Sequence, residues 1–223
     1  MHIEPGYIDA ARVAGANVAA VGVVAWYAKD QVKEGLKAAP MAMAKTAAAA
    51  TFFSLFMQSF HMPVGPSELH FVGAMAMYLT LGFTPTLLGF GLGLLFQGLL
   101  FEPQDLVHLG VNSLSLIVPL IAVHQLAGKK FFAGALGQRL SWARIVKLDA
   151  MYYSGVTAMV GFWLLLGNEE TAFSSWLAFA SSYLAVVALE PLVTWLAVNG
   201  LKKAEDTALV KHLFVVNQLR LAD

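Results

Sequence analysis

Seven apolar segments, separated by short polar connections, constrain this chain more than any other feature of its sequence. They cover residues 8–28, 41–60, 69–82, 86–101, 106–126, 148–167 and 176–198. Most approach the roughly 20 residues that a membrane-spanning helix needs. The third and fourth have only about 14 and 16, and a buried re-entrant hairpin is the alternative for this pair. We expect an all-α integral membrane protein with about seven transmembrane helices.

The low charge of the chain supports this expectation. Charged residues make up 13% of the 223 residues and hydrophobic residues 58%, whereas a soluble domain carries roughly 25% charged residues. The net charge of zero argues against a nucleic-acid partner. The chain has no cysteine, which excludes disulfides and thiolate metal sites. The expected surroundings are therefore a lipid bilayer.

The basic residues predict the orientation. Lysine and arginine follow the first, fifth and seventh segments almost exclusively, whereas the connections HMPVGPSE, EPQD and NEETAF contain none. Under the positive-inside rule, the N-terminus lies outside and the C-terminus lies in the cytoplasm, which requires an odd number of crossings. We expect one transmembrane domain over residues 1–223, with about 201–223 as a cytoplasmic tail.

Six histidines are the candidates for chemistry, and the predicted topology sorts them. His212 falls in the tail and His124 falls near a cytoplasmic helix end. The other four fall on the outer side: His2, His61, His70 and His108. A structural role is the commoner one for any single histidine, because imidazoles also anchor side chains at interfaces.

His2 differs from the others because of its position. The amine of residue 1, the amide nitrogen of residue 2 and Nδ1 of a histidine at position 2 form two fused chelate rings. One more imidazole completes four nitrogens in a plane, which suits Ni(II) or Cu(II) and also draws in Co(II). A chain can begin with MH by chance, so this feature alone is weak. The chelate needs Met1 to be the true N-terminus, and we expect this because methionine is trimmed only before small residues.

The segment FHMPVGPSELHFVG offers the further imidazole. We expect a stiff outer loop, with Ser67 capping a helix and His70 in the first turn of that helix. His61 precedes the turn and is a candidate for a further ligand, a supporting group or an entry relay. Glu68 resembles an acid at a helix N-terminus and is a weaker candidate.

The first half of the chain resembles a known family. The start MHI followed by an acidic residue and Pro-Gly, the loop PVGPSELHFVGA, and the stretches GLLFQGLLF and LGVNSLSLIVPL are similar to motifs of the CbiM/NikM proteins. These are substrate-binding membrane components of energy-coupling-factor (ECF) transporters for cobalt and nickel. The resemblance covers most of residues 1–126, and the remainder matches only in its pattern of spans.

The resemblance implies a site and partners. The ligands would be the amine of Met1, the amide and ring nitrogens of His2, and His70, and the N-terminus would be inserted into the helix bundle. The substrate would be Ni²⁺ or Co²⁺, taken up across a bacterial cell (inner) membrane by a multi-pass protein that is not an enzyme. A transmembrane coupling protein and cytoplasmic ATPase subunits would supply the energy, with a small accessory membrane protein as a possible third partner. No Walker motif occurs in the chain, as is expected if separate subunits hydrolyse ATP.

Several polar residues within the spans complete the candidates. Gln97, Asn112 and Ser115 either orient the metal ligands or link helices. Glu190 is a carboxylate inside the seventh segment and is expected to pair with Arg12. Asp149 is expected to be solvated, because it lies close to a cytoplasmic boundary.

Two alternatives stay open from the residues. The first is a histidine-ligated membrane haem protein or metalloenzyme, for which His70 and His108 could supply a pair of ligands, although the zinc-hydrolase motif HExxH is absent. The second is a vitamin-specific component of the same class of transporter. That component would have an aromatic-lined organic pocket and would function without His2.

Overall fold

Helices form most of the chain. The computed structural model describes residues 3, 6–33, 39–64, 67–134, 137–168 and 172–222. The α-helices within this part are α1 (Ala10–Lys33), α2 (Ala39–Ser59), α3 (Ala74–Leu81), α4 (Phe83–Leu100), α5 (Leu109–Val123), α6 (Trp142–Leu165), α7 (Phe173–Lys203) and α8 (Ala208–Leu213). The strands are β1 (His61–Val64), β2 (Ser67–His70), β3 (Arg139–Leu140) and β4 (Arg220–Leu221).

Among the described residues, four helical stretches are long and apolar enough to cross a membrane. They are Ala10–Lys29, Phe83–Leu100, Pro103–Phe132 and Phe173–Lys203. The third of these includes α5 and the tighter turns on either side of it, and 67% of its most apolar window is buried, against 17% for α1. The stretch around α5 is therefore central, while α1 lies at the periphery. Helices α2 and α6 have the length, with 21 and 24 residues, but they are not among these four, and seven crossings stays a prediction.

The third predicted segment is not one continuous helix. It consists of β2 followed by α3, which has eight residues and is about 12 Å long. Gly73 separates the two with a positive φ of 66°, and the Cβ of any other residue there would lie 2.5 Å from the Phe56 ring. Together, β2 and α3 carry the chain from one end of the bundle to the other. At the far end, the carbonyl oxygen of Thr80 accepts a hydrogen bond from Val215 N at 2.8 Å.

Helix α3 is enclosed by protein on every side. All eight of its residues are buried, and it packs against α2, α4, α6 and α7. A half-length helix in a membrane is accepted only in such surroundings, because lipid cannot satisfy the backbone groups at its ends.

Small residues bring α2 and α4 into close contact. A Cβ at Gly89 would lie 2.5 Å from the Cβ of Ala49, and Gly93 faces Phe53. Gly89 and Gly93 therefore serve helix packing, as this sequence predicts.

The last two long helices run antiparallel to each other. Trp176 near the start of α7 donates from Nε1 to the carbonyl oxygen of Thr157 in α6, at 3.0 Å. Residues beyond α7 fold back on the bundle: β4 pairs in parallel with β3, and Val216 is fully buried. The predicted tail is thus a packed part of the structure from α8 onwards.

Candidate metal site

The segment that contains His61 and His70 forms a β-hairpin, not the predicted helix start. Strands β1 and β2 pair antiparallel with His61 opposite His70. Ser67 caps no helix, since α3 begins at Ala74 after the left-handed Gly73. Strand β1 is mostly exposed while β2 is buried, except for the half-buried Glu68. The pairing of four-residue strands depends on contacts with the rest of the bundle, which local sequence does not reveal.

His70 is buried in the hairpin and held by a carboxylate. It is 3% exposed, and its Nε2 lies 3.0 Å from Oε2 of Glu68. The His61 ring lies 6.1 Å away, centroid to centroid, at an interplanar angle of 26°. A carboxylate that accepts from Nε2–H keeps the proton on that nitrogen, so Nδ1 has the lone pair that a metal ion needs. Glu68 therefore has a different role from the helix-terminal acid predicted from the sequence.

Ile3 fixes the position of the N-terminal segment. Its side chain is fully buried, and its backbone N–H donates to Oδ1 of Asn112 at 3.2 Å. Its carbonyl oxygen accepts from Nδ1 of His108 at 3.0 Å, and it forms an isolated antiparallel bridge with Ser67. The residue that follows His2 is thus held between α5 and the strand that bears His70.

The chain leading into α1 is tied to the end of α6. Asp9 accepts hydrogen bonds from the N–H groups of Ala11 and Arg12 at 3.0 Å and pairs with the Arg12 guanidinium at 2.9 Å. The backbone hydrogen bond from Arg12, helped by its charge, lowers the pKa of Asp9 below its usual value. Arg12 also donates to the carbonyl of Leu166 and to Asn168. Its predicted pairing with Glu190 is wrong.

The three polar residues predicted near the metal have three different environments, all buried. Asn112 holds Ile3, as described. Ser115 donates to the carbonyl of Val111 at 2.9 Å and accepts from Nε1 of Trp163 at 3.1 Å, which links α5 to α6. Gln97 is 3% exposed, and its Oε1 has no hydrogen-bond partner among the described residues. Asn112 therefore contacts the N-terminal segment at Ile3.

The remaining histidines have other partners. His124 forms a hydrogen bond with the hydroxyl of Tyr78 at 2.8 Å, and its ring stacks on Phe83 at 4.0 Å. His212 donates within α8 to the carbonyl of Ala208 at 2.6 Å. His108 was a haem-ligand candidate in one alternative, and its Nδ1 instead holds Ile3. The sequence did not predict this role, because the residues around His108 do not distinguish a histidine that binds a backbone carbonyl from one that binds a metal or haem.

Two of the predicted ligands, Met1 and His2, lie outside the described residues. Within the part of the chain that is described, no group of three or more His, Asp or Glu side chains could hold a metal ion. Two described residues therefore define the site. His70 has a buried imidazole at the end of β2, and the buried Ile3 is bridged to β2 at Ser67.

One family matches the chain over nearly its whole length. A sequence model described as the cobalt uptake substrate-specific transmembrane region, CbiM, matches residues 2–208. The chain belongs to the CbiM family. A crystal structure of a transition metal transporter resembles it with a TM-score of 0.67 at 22% identity, covering 94% of this chain and 96% of that one. A truncated transition metal transporter matches with the same TM-score and identity, covering 92% of this chain and 99% of that one. No curated protein matches the chain.

Membership of the CbiM family gives the chain its general role. It is a membrane protein and a component of transition-metal uptake, as the resemblance of its first half predicted. The likeness to the two solved structures supports the fold alone. The family match extends to residue 208, well beyond the motifs of residues 1–126.

Proposed function

We propose that this CbiM-family protein captures Ni²⁺ or Co²⁺ at the outer face of a bacterial inner membrane. The ligands are the amine of Met1, the amide nitrogen and ring of His2, and Nδ1 of His70. The observation that carries the proposal is the burial of Ile3, which is bridged to Ser67 in the strand that ends at His70. The residue before Ile3 in the sequence is the histidine of the chelate.

The surroundings of His70 support the same ligand set. A planar arrangement of four nitrogens suits Ni(II) and accommodates Co(II). Glu68 holds the proton on Nε2 of His70 and raises the basicity of the ring. His61 faces the His70 ring from the exposed strand, and we assign it to the entry of the ion.

The transport step needs further subunits. As the substrate-specific component of an ECF-type transporter, this chain would work with a transmembrane coupling protein and cytoplasmic ATPases that hydrolyse ATP. A small accessory membrane protein is a candidate third partner. The chain itself would bind and release the ion without catalysis.

Extending the N-terminus tests the chelate directly. Two residues, Met-Glu, are added ahead of Met1; the new methionine is retained because glutamate is not small. The Met1 amine then becomes an amide and can no longer coordinate. We expect Ni²⁺ and Co²⁺ affinity, measured by titration calorimetry on purified protein, to fall more than about 100-fold, because losing an outer partner of a ligand alone costs 10–100-fold.

Two further variants complete this experiment. His70→Ala should cause a comparable loss, while the same Met-Glu pair added after residue 223 should leave affinity unchanged. Unchanged affinity in the N-terminal extension would exclude the amine as a ligand. Unchanged affinity in His70→Ala would remove the hairpin from the site.

A further inference from the structure

A group of buried oxygen atoms lies between α6 and α7, and it adjoins the hairpin at one member, the hydroxyl of Tyr183. Its members come from a carboxylate and a tyrosine of α6 and from three residues of α7 that share one helical face, with spacings of seven and four residues. They are Asp149, Tyr152, Tyr183, Glu190 and Thr194, which we call the oxygen cluster. All five are at most 2% exposed. Asp149 was predicted to be solvated, and this is wrong.

Most of these oxygens have no hydrogen-bond partner. Within the described residues this holds for both carboxylate oxygens of Asp149 and for the hydroxyls of Tyr152 and Thr194. Glu190 and Tyr183 have donors: Oε2 of Glu190 accepts from the hydroxyl of Tyr153, and the Tyr183 hydroxyl meets the backbone of His70. Buried polar groups in proteins are almost always paired, so four unpaired oxygens at one helix interface call for a ligand.

The two carboxylates also need positive charge. Asp149 and Glu190 are close enough to repel each other. The N–H groups of Gly73, Ala74 and Met75 at the start of α3 face Glu190 and offset part of its charge. In the described part of the chain, neither carboxylate forms an ion pair with lysine or arginine; Arg12 is bound to Asp9 instead. Two buried carboxylates are retained only with protons or with a cation.

The unused hydroxyls favour a cation over protons. If the carboxyl groups were satisfied by protons and hydrogen bonds, the hydroxyls of Tyr152 and Thr194 would be expected to donate to the Asp149 oxygens. In the structure these donors and acceptors share one interface without bonding. An all-oxygen donor set suits divalent ions such as Mn²⁺, and two carboxylates balance a charge of two.

We propose that the oxygen cluster is a second, intramembrane site for a divalent cation. It is connected to the outer site through aromatic residues. The Tyr183 hydroxyl lies against the His70 backbone, and the Tyr183 ring stacks on Tyr153 with centroids 5.0 Å apart. Tyr153 in turn contacts Glu190. Asp149 lies one helical turn beyond Tyr153, on the side away from the hairpin.

This position suggests a stepwise passage of the transported ion. Nitrogen ligands at the outer site hold Ni²⁺ or Co²⁺ more tightly than carboxylate and hydroxyl oxygens do. An ion that moves from the hairpin to the oxygen cluster therefore goes from a tight site to a weaker one, nearer to the opposite end of the bundle. The identity of the ion as cargo rests on the proposed function, whereas the existence of the second site does not.

Metal stoichiometry of the purified full-length protein tests the proposal. Mn²⁺ binding is followed by electron paramagnetic resonance and Co²⁺ binding by equilibrium dialysis, both in excess NaCl. We expect one Mn²⁺ and two Co²⁺ per chain. The double variant Asp149→Asn, Glu190→Gln should lose the Mn²⁺ site and the weaker Co²⁺ site, with at least a tenfold drop in affinity. Thr194→Val should weaken Mn²⁺ binding severalfold.

Matched variants separate the two sites. His70→Ala should remove the tight Co²⁺ equivalent and leave Mn²⁺ binding intact, so failure of the outer site would be seen independently. Glu205→Gln changes a half-buried carboxylate that pairs with Lys202 beyond the end of α7, and it should alter neither. One Co²⁺ and no Mn²⁺ in the wild-type protein would overturn the second site, whether or not the variants fold. Mn²⁺ binding that survives in the double variant, or that excess NaCl abolishes, would also overturn it.

Discussion

At the scale of single residues, Ile3 and Asn112 connect the start of the chain to the centre of the bundle. The buried N–H of Ile3 has its acceptor on α5, one turn of helix away from the histidine that donates to the Ile3 carbonyl. Both polar groups of this backbone unit are thereby satisfied away from water. The position of Ile3 thus depends on two side chains, Asn112 and His108, that are not among the proposed ligands.

Asn112→Leu should therefore weaken metal binding without touching a ligand. The substitution keeps the branching of the side chain at Cγ but leaves the Ile3 N–H unsatisfied in an apolar site, a loss of about 1–3 kcal/mol. If the segment shifts to recover this energy, Co²⁺ affinity should fall by about 5–150-fold, as titration calorimetry would show.

Ser115→Ala is the matched control for this variant. It lies on the same helix but links α5 to Trp163 of α6, so it should lower thermal stability and leave Co²⁺ affinity within about twofold. Equal losses of affinity in the two variants would contradict a specific role for Asn112.

The sequence predicted which polar residues are buried better than it predicted which residues they contact. His70, Asn112 and Ser115 could be chosen from the sequence because polar groups in apolar segments are rare, and all three are buried. The contacts that join Asn112 to Ile3 and Ser115 to Trp163 span 109 and 48 positions of the sequence, and no local pattern encodes them. The predicted pairing of Arg12 with Glu190 was wrong for the same reason. Opposite charge suggested it, but Arg12 pairs with Asp9, three residues earlier in the sequence.

At the scale of elements, the contact between α2 and α4 shows how a single carbon atom can decide helix packing. Gly89 faces the Cβ of Ala49 at a distance that leaves no room for a methyl group, whereas the nearest atom to a Cβ at Gly91 would be Val24 Cγ2 at 3.9 Å. The two glycines lie on the same helix, two residues apart, and differ only in what they face.

The pair Gly89→Ala and Gly91→Ala tests this difference. Alanine favours a helix over glycine by about 1 kcal/mol, so Gly91→Ala should keep or raise the thermal unfolding temperature. Gly89→Ala should lower it, because overpacking costs about 1–3 kcal/mol and α2 has to move away. A thermal shift assay in detergent measures both, and equal shifts would show that the contact is not tight.

The hairpin is the element that the sequence analysis missed. Residues 61–70 contain prolines, a glycine and a serine, which are as typical of a helix entrance as of a tight turn between strands. What favours strands here is the bundle around them: β2 is buried against α7, and its edge pairs with Ile3. By contrast, the long helices follow from apolar segments that need no such context.

At the scale of the whole molecule, the prediction that concerns the entire chain is its orientation in the membrane. The hairpin and the residues after α7 lie at opposite ends of the bundle, since β2 and α3 lead from one to the other. The charge pattern places the hairpin outside and the C-terminal residues in the cytoplasm.

Cysteine labelling can test this orientation, because the chain has no cysteine of its own. Met62→Cys and Leu209→Cys replace side chains that are 45% and 69% exposed. A membrane-impermeant maleimide should label position 62 in intact cells and position 209 only after the membrane is opened. The reverse labelling pattern would show that the topology is inverted, with the hairpin in the cytoplasm.

The complete enclosure of α3 also has a consequence for synthesis. A ribosome delivers β2 and α3 to the membrane long before α6 and α7, yet those later helices form part of the wall around them. An eight-residue helix is too short to remain in lipid by itself. The hairpin and its histidine can therefore reach their final position only when the last long helix has been inserted, so that a chain interrupted before that point would carry no finished metal site.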